Sequence, residues 1–570
     1  MRHRRVMSML GGLVLVAGAL LTAPPAAAGQ TPPRPPTAAP GTPSQRTPAP
    51  APEAPAPRPS EREAPPDEFG TDWHDPVTAA PPVARPSSGR SCEVTVAQAQ
   101  FRDFTPYRGS YRPPEKCGSR WSAVVLRLEG SVKGRQYDRL GHLAIGGVEI
   151  FRTSTPQPSP DGITWSVEKD VTRYSDTLRR PQPVEMLIGN VVDETYTGVL
   201  DVRVTLTFHA ADDPADDDRA SDDVPDRVLT LDSTALTTPR NSERILAEVY
   251  ATGSGGGCEE YWYLSVPDTL PYSCRAADGP YREVRLSVDG TLAGIAAPFP
   301  TVWTGGWSNP FLWYVTPAPR AFDIKPLVYD LTPFAALLND GRPHRVEVQV
   351  AGVPAGRPGW STPTNVLVWQ DEGREAVTGA LTRHEESAPR GSTRHTPGAV
   401  HRLDAEGSHR LTVAGHLDTS HGRVTTTVTR AVANSSVHRW TEDERLDALE
   451  ATWTDRETVT AGHAVTRTHR TYTMDGETTL GAGDRLRTVL ALGDRADTAT
   501  VDVRGGKRLA WSRHDDAYEG DATYTAGVPR DRRHAVGTTS ERYRLYGSEG
   551  CHDRHLRTAQ GTLTLDRRRC

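Results

Sequence analysis

Asp170-Val-Thr-Arg-Tyr-Ser-Asp-Thr-Leu178 and Asp330-Leu-Thr-Pro-Phe-Ala-Ala-Leu-Leu338 are two copies of one phrase. Each opens on Asp-x-Thr and closes on Leu. An alternating stretch follows each: Pro183-Val-Glu-Met-Leu-Ile188 after the first, His344-Arg-Val-Glu-Val-Gln-Val350 after the second. Upstream, Leu143-Ala-Ile-Gly-Gly-Val148 matches Leu286-Ser-Val-Asp-Gly-Thr291 in the same order. Alternation of large apolar and polar residues is the period of half-buried antiparallel strands. Repeated in this order, it predicts two copies of one β-sandwich topology. The Asp-x-Thr element is then a strand-to-loop crossover, with Asp170 and Asp330 capping turns rather than doing chemistry.

The same alternation extends outward. Ser122-Ala-Val-Val-Leu-Arg-Leu-Glu-Gly130 and Val199-Leu-Asp-Val-Arg-Val-Thr-Leu-Thr-Phe208 belong to the first copy, placed at 91–210. The second copy is placed at 227–385. A third region, 386–570, is Thr-rich and strand-like, as in Arg423-Val-Thr-Thr-Thr-Val-Thr429 and Ala499-Thr-Val-Asp-Val503. Leu446 to Trp453 reads as at best a short helix. Residues 211–226 are crowded with Asp and read as a solvated acidic linker. They lack the ligand spacing and turn Gly of a calcium loop.

The chain has 570 residues and a formal net charge of -6, which offers no basic field for nucleic acid. Of its 48 prolines, 20 precede residue 90. Basic residues 2–5, an apolar stretch Leu10 to Leu21 and small residues Ala26 to Ala28 read as a secretory signal over 1–28. Residues 29–90 read as a disordered Pro-rich tether, because they hold too few large apolar residues to bury a core. No later apolar run is long enough to span a membrane as a helix. The expected product is therefore secreted, with cell-wall association left open. Six cysteines suit that compartment. They fall in three local sets: Cys92 with Cys117, Cys258 with Cys274, and Cys551 with Cys570. Local pairing is the simplest of the 15 pairings six cysteines allow. None has the spacing of a zinc site.

His-Glu-x-x-His, Walker and Gly-x-Ser-x-Gly strings are absent. What remains is carboxylates beside aromatics and arginines. Gly134-Arg-Gln-Tyr-Asp-Arg139 interrupts a strand pattern, and Arg139 would favour the charged form of Asp138. Cys258-Glu-Glu-Tyr-Trp-Tyr263 sets Glu259 and Glu260 against Tyr261, Trp262 and Tyr263, where burial would raise a carboxyl pKa. From composition alone, strand-end ion pairs are the favoured reading of both clusters. Trp303 and Trp307 flank a Gly-Gly turn and could offer flat faces to a sugar ring.

At these residues the chain resembles the peptide-N-glycosidase A family of peptide-N4-(N-acetyl-β-glucosaminyl)asparagine amidases. The matching stretches include Gly134-Arg-Gln-Tyr-Asp-Arg-Leu140, Gly147-Val-Glu-Ile-Phe-Arg-Thr-Ser-Thr155, Gly189-Asn-Val-Val-Asp-Glu-Thr-Tyr-Thr-Gly198 and Pro298-Phe-Pro-Thr-Val-Trp-Thr-Gly-Gly306. They run in collinear order over about 91–375. A fainter likeness to the PNGase F type implies the fold: all-β, two tandem jelly-roll-like β-sandwiches side by side, plus a third β-rich C-terminal domain. There a catalytic Asp lies in Trp-Asp-Arg, matched here by Tyr137-Asp138-Arg139. A second acid there is matched by Glu260, with Glu259 in place of Ala. A third acid does not carry over; its position falls near Gly189, beside Asn190, so that role is absent, moved or filled by Asn190.

The resemblance implies hydrolysis of the amide joining Asn to the first GlcNAc of an N-glycan. Asp138 and Glu260 would be catalytic. Tyr137, Arg139, Asn190, Glu259, Tyr261, Trp262, Trp303 and Trp307 would bind substrate. No cofactor and no metal are implied. The expected partners are N-glycosylated peptides or proteins, with the enzyme a monomer. A secreted glycan-binding protein without catalysis and an endo-β-N-acetylglucosaminidase are the alternatives.

Overall fold

The computed structural model describes residues 64–86, 88–211, 224–231, 233–253, 257–303, 309–353 and 359–570. The expected signal segment, the tether up to residue 63, linker residues 212–223 and Trp307 lie outside the described residues.

Eight strands form the first unit: β1 (Ser91–Phe101), β2 (Tyr107–Tyr111), β3 (Trp121–Val132), β4 (Leu140–Ile145), β5 (Val148–Ser154), β6 (Ile163–Asp170), β7 (Gln182–Ile188) and β8 (Leu200–Ala210). They pair as two four-stranded sheets, β1-β8-β3-β6 and β2-β7-β4-β5. That order is two Greek keys wound into a jelly roll. The second unit comprises β9 (Arg227–Thr230), β10 (Ala235–Leu236), β11 (Ser242–Val249), β12 (Thr252–Gly253), β13 (Glu283–Val288), β14 (Thr291–Ala296), β15 (Leu327–Asp330), β16 (His344–Ala351), β17 (Trp360–Ser361) and β18 (Thr364–Gln370). Its sheets are β9-β18-β11-β15 and β10-β16-β13-β14, the first unit's order strand for strand. The two-stranded ribbon β12-β17 is an addition.

The repeated phrase sits where the sequence puts it. Asp170 Oδ1 accepts the Thr172 N–H at 2.9 Å after β6, and Asp330 Oδ1 accepts the Thr332 N–H at 2.9 Å after β15. Each side chain so caps the turn that opens a crossover. The crossovers continue as one-turn helices α1 (Ser175–Leu178) and α2 (Ala335–Leu338). Leu178 and Leu338 close them into the cores, both fully buried.

Strand β5 joins the two units. All seven of its residues are buried, with no alternation, because both faces are covered. A register shift opposite Leu143 and Ala144 leaves Ile150 as an extra residue. Such a bulge turns Glu149 and Arg152 to the same side. The Arg152 guanidinium donates to Glu149 at 2.6 and 3.0 Å, then reaches Thr252 Oγ1 (2.6 Å) and Ser361 Oγ (3.1 Å) across the junction. Asn365 Nδ2 donates to the Glu149 carbonyl at 2.8 Å. Further along, buried Glu248 accepts from the Tyr174 hydroxyl at 2.7 Å and pairs with Arg173 at 2.7 Å.

The third region is a single eleven-stranded antiparallel sheet, with strands as long as His401–Thr419 and Gly422–Trp440. It begins at Thr378–Glu386, earlier than the boundary expected at 386. Its inner face buries Leu403, Leu449, Trp453, Tyr472 and Tyr518 in the same apolar cluster as the first jelly roll. Leu411, Val413 and Val428 join the core of the second. Leu446 to Trp453 is not a helix. It lies in the strand Leu446–Ala461, because ladders on both sides satisfy its backbone.

The Pro-rich tether is also shorter than expected. Residues 64–86 lie on the third sheet, with the Phe69 N–H on Ala535 O (2.8 Å) and the His74 N–H on Gly561 O (2.9 Å). Trp73 stacks on Tyr314 at 3.9 Å, and Ala79 is fully buried. The disulfides join Cys92 to Cys117, Cys258 to Cys274 and Cys551 to Cys570.

Candidate active site between the jelly rolls

Asp138 lies in the connection from β3 to β4, and Glu260 in the connection from β11 to β13. Under the shared strand order these are the same connection in the two copies. Each candidate acid therefore comes from the corresponding loop of its own jelly roll.

The first loop is held by its own domain. Gln136 is buried and donates to Val191 O (2.8 Å) and Gly198 O (3.0 Å). Its Oε1 accepts the Tyr137 N–H and a short bond from the Arg139 guanidinium. Arg139 Nε donates to Asn190 Oδ1 at 3.2 Å, and the Arg139 N–H donates to Thr155 Oγ1 at 2.9 Å. Burial pulls the Arg139 guanidinium below its usual range, and the negative charge of Asp138 opposes that pull. Tyr137 and Tyr196 pack at 4.8 Å, with the Tyr196 hydroxyl donating to Tyr137 at 2.9 Å. Burial first, then this contact, pushes the Tyr196 phenol up to about 12.

The second loop is held from outside. The turn Cys258–Leu264 is closed by the Cys258–Cys274 disulfide. Gly253 runs so close beneath it that a Cβ there would lie 2.0 Å from Glu259 O, which excludes any side chain. The third sheet grips the far end of the loop. Asp447 accepts from the Tyr272 hydroxyl at 2.7 Å, Glu444 from the Ser273 N–H at 2.8 Å, and Trp440 Nε1 donates to Pro271 O at 2.9 Å. Trp453 meets Trp262 edge-on at 5.6 Å.

Tyr261 is within electrostatic reach of both loops. Burial, then the charges of Glu260 and Asp138, hold its phenol well above the usual range, and its hydroxyl donates to Glu260. Asp138, Arg139, Tyr137, Glu260 and Tyr261 are all half-buried. Tyr524 of the third sheet lies within electrostatic reach of Tyr137.

Four residues expected to bind substrate are buried, three of them among named partners. Asn190 is fully buried; its amide donates to Phe101 O and Gly198 O while its oxygen takes the Val191 N–H and Arg139, so no polar edge is left for sugar. Glu259 is 3% exposed and forms a two-pronged pair with Arg282 at 2.7 and 2.9 Å, plus a 2.7 Å bond from Trp360 Nε1. Trp262 is enclosed by Tyr263, Trp360 and Trp453. Trp303 is buried. Gln136, Tyr196 and Asp447 were missed as supports. The first two stand inside the conspicuous stretches 134–139 and 189–198. Asp447 carries no local signal, since its partners are distant in sequence. Glu243, Asp371 and His421 form one cluster with metal-ligating atoms within 4.8 Å of one another, on the second jelly roll's margin.

Two jelly rolls of one strand order, each carrying a candidate acid in the corresponding loop, define a class of all-β protein built from paired sandwiches. Residues 81–387 match the family model for peptide N-acetyl-beta-D-glucosaminyl asparaginase amidase A, and the chain belongs to that family. It is similar to peptide-N4-(N-acetyl-beta-glucosaminyl)asparagine amidase A of Prunus dulcis, 30% identical over 339 residues. That match covers 53% of this chain and 58% of the relative, so the chain spans less than two thirds of that relative's length. Among solved structures, PNGF-II matches with a TM-score of 0.33 and 15% identity, over 49% of this chain and 66% of that one.

Proposed function

We propose that this protein is an extracellular amidase that hydrolyses the bond between Asn and the innermost GlcNAc of N-glycosylated peptides and proteins. The products are Asp in the peptide and a glycosylamine. The observations that carry this proposal are the family match and the placing of Asp138 and Glu260 on corresponding loops, with the charges of both acting on the Tyr261 phenol.

Amide hydrolysis needs a directed water and a proton for the departing nitrogen. Asp138 orients and deprotonates the water. Arg139 keeps Asp138 ionised by charge and contacts substrate on its free side. Glu260, in hydrogen-bond contact with the Tyr261 phenol, supplies the proton or seats the first two sugars. Tyr137 and Tyr261 offer the aromatic surface that the sugar's apolar face needs. No step calls on a metal, and the protein acts as a monomer.

Incubation with a high-mannose glycopeptide, followed by mass spectrometry of the peptide, tests this directly. The expected product carries Asp where the glycosylated Asn stood. A peptide retaining one GlcNAc would identify an endoglycosidase instead. Binding without cleavage would identify a lectin.

A further inference from the structure

The outer face of the third sheet carries a cationic depression far from amidase chemistry in composition. Arg410, Ala431 and Arg456 stand in one cross-strand row on three adjacent strands. The neighbouring row runs Arg390, Ser408, Ala433, Thr454. Residues two apart on a strand share a face, so both rows open on the same side. Strands about 4.8 Å apart put the Arg410 and Arg456 backbones about 10 Å from each other, with only an alanine methyl between them. The result is a cavity of about 300 Å³, floored by Ala431 and Ala433 and walled by three arginines.

Those arginines have no carboxylate partner within salt-bridge distance among the described residues, although acids stand nearby. Glu385 is taken by Arg383 at 2.6 Å, Glu386 faces the His409 imidazole at 3.3 Å, and Asp404 is taken by Arg402 at 2.6 Å. Arg456 uses only Nε, on His469 at 3.3 Å, which leaves its terminal nitrogens available. On a chain of net charge -6, three guanidiniums left together around a small-residue floor concentrate positive charge in one place. Guanidinium forks match tetrahedral oxyanions with paired N–H donors.

We propose that this depression binds a sulfate or phosphate group, with Arg410 and Arg456 gripping the oxyanion from either side of Ala431 and Arg390 closing the third side. The volume exceeds a bare ion and leaves room for a sugar ring that carries the group as an ester. The site is independent of the amidase proposal, and neither depends on the other.

Calorimetric titration of the whole protein with inorganic sulfate, inorganic phosphate and glucose 6-sulfate decides the matter. Binding with one equivalent is expected, weakened at least about tenfold in the double variant Arg410→Gln, Arg456→Gln. Both residues are exposed, so an unchanged melting temperature should accompany the loss. Tighter binding of glucose 6-sulfate than of sulfate identifies a sugar ester as the ligand; equal binding identifies the free oxyanion. No binding of any of the three at ~millimolar concentration, or undiminished binding by the double variant, overturns the proposal.

Discussion

The two jelly rolls share one strand order and differ in the loop that carries each candidate acid. In the first, residues 133–139 are pinned by Gln136, Asn190 and Thr155 of the same domain. In the second, residues 250–282 hold an added ribbon strand, a disulfide and a buried Glu259–Arg282 pair, and they are gripped from the third sheet. A short connection can be fixed by the fold it belongs to. A long one cannot, because its ordering entropy grows while its own contacts stay few. The third sheet therefore does for Glu260 what Asn190 and Gln136 do for Asp138.

Breaking the junction should have the largest effect on stability. Arg152→Ala leaves Glu149 charged and buried, which costs about 3–5 kcal/mol. Urea unfolding should show that loss, with both jelly rolls weakened together. A variant as stable as wild type would mean that the two units are held by something else.

Loosening only the second loop should do less to stability and more to activity. Tyr272→Phe removes a hydrogen bond to a carboxylate, worth about 1.5–3 kcal/mol. Its kcat on a glycopeptide should fall severalfold with KM little changed. An unaltered kcat would show that the third sheet does not position Glu260.

An effect confined to one side of the pH range is sought at the strap, residues 64–86, where Glu541 Oε2 accepts the Ala79 N–H at 3.0 Å. Burial pushes the Glu541 carboxyl up from 4.5 to about 8. The folded protein thus holds this proton more tightly than the unfolded chain. The associated stabilisation is complete below about pH 4.5 and disappears as pH rises through about 8. Glu541→Gln stays neutral and keeps an acceptor for Ala79. Its melting temperature should exceed wild type's above pH 8, and the gap should close in acid. A gap that widens in acid would reverse the assigned sign.

Much of the fold was legible because it rests on local pattern. Asp170 and Asp330 cap turns through neighbours two residues away, and β13 shows its inward Val284, Leu286 and Val288 as plain alternation. The third sheet was legible as strands but not as one sheet, since pairing order is set by partners rather than by composition. The strap was hidden for a related reason. Its average composition is poor in apolar residues, yet Trp73 and Ala79 find a surface built by residues after 300. At the site, Asp138 and Glu260 stood out as acids among aromatics. Glu259 looked the same as Glu260, because Arg282 and Trp360, which occupy it, are far along the chain. The burial of Asn190 and Trp262 was hidden likewise, being decided by Phe101, Arg139 and Trp453.

The central claim is that the corresponding loops of two jelly rolls supply two acids to one reaction. A double-mutant cycle on glycopeptide hydrolysis tests it most directly. Asp138→Asn and Glu260→Gln should each lower kcat at least ~10²-fold. The double variant should lose little beyond the worse single, as groups acting in one step do. Losses that multiply, or either single variant working at the wild-type rate, would contradict the account.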